Sequence, residues 1–189
     1  METLRTFIAL DMPAEIKAAV VNYVQPLKSL REHVRWVKSE NLHLTLKFLG
    51  DTPAARIEAI TAALQEIVAT TPPFAVTVFG SGAFPNGQKP RVLWVDLSEP
   101  TGTLLKLAQT IDAQMHRFGF AKEQRAFAPH LTIGRVKDAH IPEVIRALQA
   151  NPLVAMPAQF HEIIFMQSEL NRAGAIYTPL RKLSLSKNL

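Results

Sequence analysis

Two short strings in the chain pair an imidazole with a hydroxyl: His43-Leu44-Thr45-Leu46 and His130-Leu131-Thr132-Ile133. Each alternates polar and apolar residues, the pattern of a β-strand with one buried face. Residues two apart on a strand share a face. His43 and Thr45 therefore project together while Leu44 and Leu46 anchor the strand, and His130 and Thr132 repeat this over Leu131 and Ile133. An imidazole has an ordinary pKa near ~6.5, so at neutral pH one of two can be protonated while the other is free base. A hydroxyl can donate to a phosphoryl oxygen. Two such sets facing each other suit in-line displacement at phosphorus. One imidazole takes the proton of the attacking water, and the other delivers a proton to the oxygen leaving on the opposite side. That chemistry calls for no metal, and no carboxylate cluster is visible in the sequence to hold one.

With 6 His in 189 residues, chance supplies about 0.4 His-x-Thr tripeptides, so two copies alone are only mildly unusual. Their context matters more. The second copy lies 87 residues beyond the first (130 against 43), and an aspartate follows each histidine after eight residues, Asp51 and Asp138. Apolar strands ending in Leu10-Asp11 and Val95-Asp96 precede the two copies. The shared polar residues are ones that packing does not demand, which points to an internal duplication, roughly 1–72 and 73–150, with a C-terminal strand pair over 158–186. A duplicated unit packs about a pseudo-twofold axis. That axis would set the two histidine strands face to face.

The elements that must position these strands are legible as periodicity. Strands are expected over 6–10, 43–49, 74–79, 92–97, 127–136, 160–167 and 177–185. Ile16, Val20, Tyr23 and Leu27 mark a first helix, capped by Asp11 and kinked or ended early by Pro26. Asp51 and Pro53 open a second, striped by Ile57, Ile60, Leu64 and Ile67, and Leu104, Leu107, Ile111 and Met115 stripe a third. A short helix is expected over 142–149, and a turn at 171–174. Short connections between strands favour an α+β fold with mainly antiparallel sheets: one bilobal domain over 1–189, its two lobes facing a central cleft, helices on the outer faces.

Composition sets the outer bounds. Hydrophobic residues make up 48% of the chain and charged residues 20%, the balance of a globular protein rather than a disordered one. The absence of cysteine excludes disulfides, thiolate catalysis and sulfur-ligated metals. Apolar runs are too short for a membrane helix and the start lacks the features of a signal peptide, so a cytoplasmic protein is expected. The net charge of +5 leans towards phosphate-bearing partners.

The motifs, with Arg5-Thr6-Phe7-Ile8-Ala9-Leu10, Trp36, Lys47-Phe48-Leu49-Gly50, Arg91-Val92-Leu93-Trp94, Phe127-Ala128-Pro129 and Gly134-Arg135, resemble the two-histidine phosphoesterase superfamily. Within it they are most similar to the bacterial and archaeal RNA 2′,3′-cyclic phosphodiesterases, long called 2′-5′ RNA ligases. Ser168-Glu169-Leu170, Gly174 and Tyr177 are similar to that family's last hairpin. The resemblance implies hydrolysis of a terminal 2′,3′-cyclic phosphate to a 2′-phosphate without a cofactor. It implies that His43 is the proton donor, that His130 is the acceptor, and that Thr45 and Thr132 hold the non-bridging oxygens. A 5′-hydroxyl in place of water would form a 2′-5′ linkage. The expected partner is an RNA with a cyclic phosphate end, tRNA halves among the candidates, or a cyclic nucleotide; a monomer and no membrane association are expected. The two sites are too alike for the sequence itself to assign donor and acceptor.

Other residues carry weaker expectations. Arg135 suits charge stabilisation, but strand parity turns it away from His130 unless the strand bulges near Gly134. Lys47 shares parity with His43 and is expected at the cleft rim. Arg125 and Phe127 are candidates for ribose or base contact, with ordinary core the stronger reading for Phe127. Phe7, Trp36 and Trp94 read as core. His33, His116, His140 and His161 read as structural or exposed, and Lys89, Arg91, Lys122, Arg125 and Lys137 as a diffuse basic surface able to attract RNA. The alternatives are a phosphodiesterase for another small cyclic or 2′-5′-linked nucleotide, and a non-catalytic RNA- or nucleotide-binding module.

Overall fold

The computed structural model describes residues 2–30, 33–137, 140–171 and 174–186. In chain order the elements are β1 (Thr3–Asp11), α1 (Ala14–Lys28), β2 (Val34–Trp36), β3 (His43–Pro53), α2 (Ile57–Ala69), β4 (Phe74–Phe84), β5 (Val92–Ser98), α3 (Thr103–Arg117), β6 (His130–Val136), α4 (Pro142–Ala150), β7 (Met156–Phe160), β8 (Glu162–Asn171) and β9 (Gly174–Ser184). They form two antiparallel sheets, one in the order β3-β1-β8-β9 and the other β2-β6-β5-β4-β7. The fold is therefore α+β with antiparallel sheets, as the strand-and-loop pattern implies.

The helices bury their apolar stripes in the main core, α2 and α3 against the first sheet and α4 against β4 of the second. The expected stripe of α3 is fully seated, with Leu104, Leu107, Ile111 and Met115 buried, and α2 buries Ile57, Ile60, Leu64 and Ile67. In α1, Val24 is buried alongside Ile16, Val20 and Leu27, while Tyr23 is half-buried and donates its hydroxyl hydrogen to Ser81 Oγ at 2.8 Å. A second, small apolar cluster of Phe7, Ala9, Ile164 and Met166, with Tyr177 against it, covers the opposite face of the first sheet. That face bears the first histidine.

Several boundaries differ from the sequence expectation. Asp11 ends β1 and pairs with Lys17 at 2.7 Å instead of capping α1, whose N-cap is Pro13. Pro26 lies inside α1, in its last turn, where it removes the amide that would have bonded to the Asn22 carbonyl, and the helix ends two residues later. Asp51 and Pro53 belong to β3; α2 begins only at Ile57, after a short 3-10 turn. The strand β4 runs on through Gly80 and Gly82 to Phe84, and β7 has no strand pattern in the sequence, because Met156-Pro157-Ala158-Gln159-Phe160 carries too little β-branched character. Asp138 and the centre of the turn at 171–174 lie outside the described residues.

Candidate functional site

Both histidine strands open onto one cleft of about 500 Å³. His43 begins β3, opposite Asp11 of β1, and His130 begins β6, opposite Asp96 of β5, so each imidazole stands at the first residue of its strand, across from an aspartate of the neighbouring one. Each ring is oriented by the backbone two residues upstream. His43 Nδ1 lies 2.8 Å from the carbonyl of Asn41, and His130 Nδ1 lies 2.8 Å from that of Ala128. A carbonyl only accepts, so both Nδ1 atoms carry the hydrogen and both Nε2 atoms are left for chemistry. His43 Nε2 sits 3.1 Å from Thr45 Oγ1.

Aromatic rings wall both imidazoles. Phe7 and Tyr177 lie 4.8 and 5.1 Å from the His43 ring, and Phe84 meets the His130 ring edge-on at 5.1 Å. Phe84 in turn stacks on Trp94 at 5.1 Å, and the Trp94 ring lies so close over Gly82 that any side chain there would collide with it. Burial among these rings holds the His43 pKa below its ordinary value. The Asn41 carbonyl and the charge of Asp11 push it back up, and Arg135 and Lys17 push it down.

Bulges decide which later side chains reach the cleft. In the β5–β6 pairing, Trp94 faces Thr132 and Leu93 faces Gly134, so Ile133 is an extra residue on β6. The bulge reverses parity, and Arg135 joins His130 and Thr132 in lining the cleft. In β3, Leu46 is the extra residue between Thr45 and Lys47. Phe48 thereby reaches the cleft at the position of β3 that corresponds to Arg135 of β6.

The same bulge corrects the expectation for Lys47. It is 6% exposed and turned into the core side, where its Nζ contacts Asp112 Oδ1 and the Ala121 carbonyl, each at 2.6 Å. Arg125 and Phe127 line a separate groove of about 360 Å³ with Asp112 and Lys122, away from the histidines. Trp36 and Trp94 are half-buried rather than core; Trp36 lines the cleft and packs over Gly134. His116 Nδ1 meets the Phe120 carbonyl at 3.1 Å just beyond α3.

Sequence reasoning missed Arg5, Arg35, Lys38 and Asn41, which also line the cleft. Asn41 could have been found by its position, two residues before the motif. The cations could not, because nothing local distinguishes them from other surface lysines and arginines. None of the described residues that line the cleft is acidic.

A two-sheet α+β fold holding a paired His-x-Thr set in a basic cleft defines a recognisable class of protein, and comparison with known proteins agrees. Residues 13–172 match the model of the 2′-5′ RNA ligase superfamily, and the chain belongs to that family. It is 33% identical over 186 residues to an RNA 2′,3′-cyclic phosphodiesterase of Methanothermobacter thermautotrophicus, covering 96% of this chain and 99% of that one. A solved structure from Thermus thermophilus superposes with a TM-score of 0.86 at 29% identity, over 98% of this chain and 100% of the other. The Escherichia coli LigT protein, solved with 3′-AMP, superposes with a TM-score of 0.80 at 29% identity over 97% and 99%.

Proposed function

We propose that this protein hydrolyses RNA 2′,3′-cyclic phosphate ends to 2′-phosphates, with His43 and His130 as the acid–base pair. The observation that carries this reading is the matched tethering of the two rings. Each Nδ1 is held by a backbone carbonyl, and both histidines line one cleft with Thr45, Thr132 and Arg135. The name of the full-length relative supports the substrate.

His130 Nε2 takes the proton of a water attacking the cyclic phosphorus. His43 Nε2 gives a proton to the 3′ oxygen as the bond from phosphorus to that oxygen breaks, leaving a 2′-phosphate and a free 3′-hydroxyl. The Thr45 and Thr132 hydroxyls donate to the non-bridging oxygens, and Arg135 neutralises the charge that grows on them. His43 is biased to the neutral form in the free protein. An anionic phosphodiester beside the ring favours its protonated form, so substrate binding loads the acid. A 5′-hydroxyl in place of water would run the same displacement to a 2′-5′ linkage.

The test incubates the protein, in excess chelator, with an oligoribonucleotide ending in a 2′,3′-cyclic phosphate and identifies the product terminus. A 2′-phosphate is expected, with His43→Ala and His130→Ala each slowed by ~10²–10⁴. Turnover abolished by chelator, or unaffected by either substitution, would overturn the mechanism.

A further inference from the structure

Across the β2–β6 pairing, Arg35 stands directly opposite Arg135. Like charges in directly opposed positions of an antiparallel pair repel and destabilise the sheet. Both side chains line the cleft, and among the described residues neither guanidinium has a hydrogen bond or an ion pair. Lys38 lines the cleft just beyond β2 and adds a third cation, its Nζ 4.0 Å from the exposed Glu40 carboxylate. Two unpaired guanidiniums held side by side, at the mouth of a site that handles phosphate, form an anion site of higher charge than the reacting group needs. A cyclic phosphodiester carries a single negative charge, which Arg135 and the acid–base pair already match.

We propose that Arg35 binds a second phosphate: the internucleotide phosphate on the 5′ side of the terminal nucleoside of an RNA strand. This rests on the hydrolase reading above and names the residue that favours a strand end over a mononucleotide. Neighbouring strands lie about 4.8 Å apart, so Arg35 is one strand step further from His130 than Arg135, displaced outward as the next phosphate of a bound strand is. The planar guanidinium can grip phosphate oxygens with two parallel hydrogen bonds. Relief of the Arg35–Arg135 repulsion adds to binding only when an anion lies between or beside them.

The test compares a dinucleotide ending in a 2′,3′-cyclic phosphate with the mononucleoside 2′,3′-cyclic phosphate of the same terminal base. Wild type is expected to favour the dinucleotide in kcat/KM, and R35Q to reduce that preference by about tenfold, the scale of one charge-assisted contact. R35K, which keeps the charge but not the fork, is expected to fall between. An equal loss on both substrates would overturn the proposal, because Arg35 would then serve the reacting phosphate; an unchanged preference would overturn it too. Titration of the dinucleotide 2′-phosphate product, which needs no turnover, separates this question from the reaction itself. If neither substrate is cleaved, the hydrolase reading fails. Arg35-dependent tightening of the dinucleotide over the nucleoside 2′-phosphate would still support the second-phosphate site, and its absence would overturn it.

Discussion

His43 shows how a residue type acquires its chemistry from its surroundings. The ring sits between Phe7 and Tyr177, and losing water there disfavours the charged imidazolium more than the Asn41 carbonyl and Asp11 favour it. Its folded pKa is thus below the unfolded value of ~6.5, and the unfolded chain binds this proton first as the pH falls. His43 therefore costs no stability above pH ~6.5 and becomes a penalty as the pH drops below that value, growing until the folded-state pKa is passed. Urea unfolding at pH 8 and pH 5.5 should show a larger loss for wild type than for His43→Gln. An equal loss would mean that the ring is solvated in the folded protein. Arg135 is a complementary case, since its parity excluded it from the cleft until the Ile133 bulge reversed that parity.

At the scale of elements, bulges and a buried ion pair do the positioning. The Leu46 bulge turns Lys47 inward, so that β3 is tied to α3 through Asp112 and to the segment before β6 through the Ala121 carbonyl. Asp112 also accepts the Glu123 amide at 3.0 Å. Burial alone would raise its pKa, but the hydrogen bonds from Lys47 and that amide outweigh the burial and hold the carboxyl below its ordinary range. The pair joins the strand of one histidine to the segment leading to the other. Lys47→Met leaves the carboxylate buried without its cation, and a loss of about 3–5 kcal/mol in urea unfolding is expected. Lys47→Met with Asp112→Leu should recover most of it. A Lys47→Met loss under about 1 kcal/mol would show that the pair is solvated.

At the scale of the whole molecule, the net charge of +5 matters less than where the charge lies. Arg5, Arg35, Lys38 and Arg135 come from three separate segments, β1, β2 with its exit, and β6, and converge on one cleft whose described lining has no acid. The Arg5 guanidinium lies 4.5 Å over the Phe48 ring, which is 49% exposed, so part of this charge rests on an aromatic face available for stacking. Binding of a dinucleotide 2′-phosphate should weaken with rising salt with a logarithmic slope of about −1.4, the value for two single-strand phosphate contacts. A slope near zero would leave these cations as ordinary surface charge. Among the described residues no helix is long and apolar enough to cross a membrane.

The two His-x-Thr sets, the strands that carry them and the stripes of α2 and α3 were all legible in the chain before any fold was known. Those features depend on local periodicity and on residue chemistry, and both are written residue by residue. The rest waited for the sheets to form. Whether Lys47, Phe48 and Arg135 face core or cleft depends on one extra residue in a strand pairing, and a bulge is a property of two strands that neither encodes alone. The opposition of Arg35 to Arg135 depends on the register of a three-residue edge strand whose own pattern is too short to read. Residues far apart in the chain become neighbours only through such pairings, so the electrostatics of the cleft follows from topology rather than from any stretch of sequence.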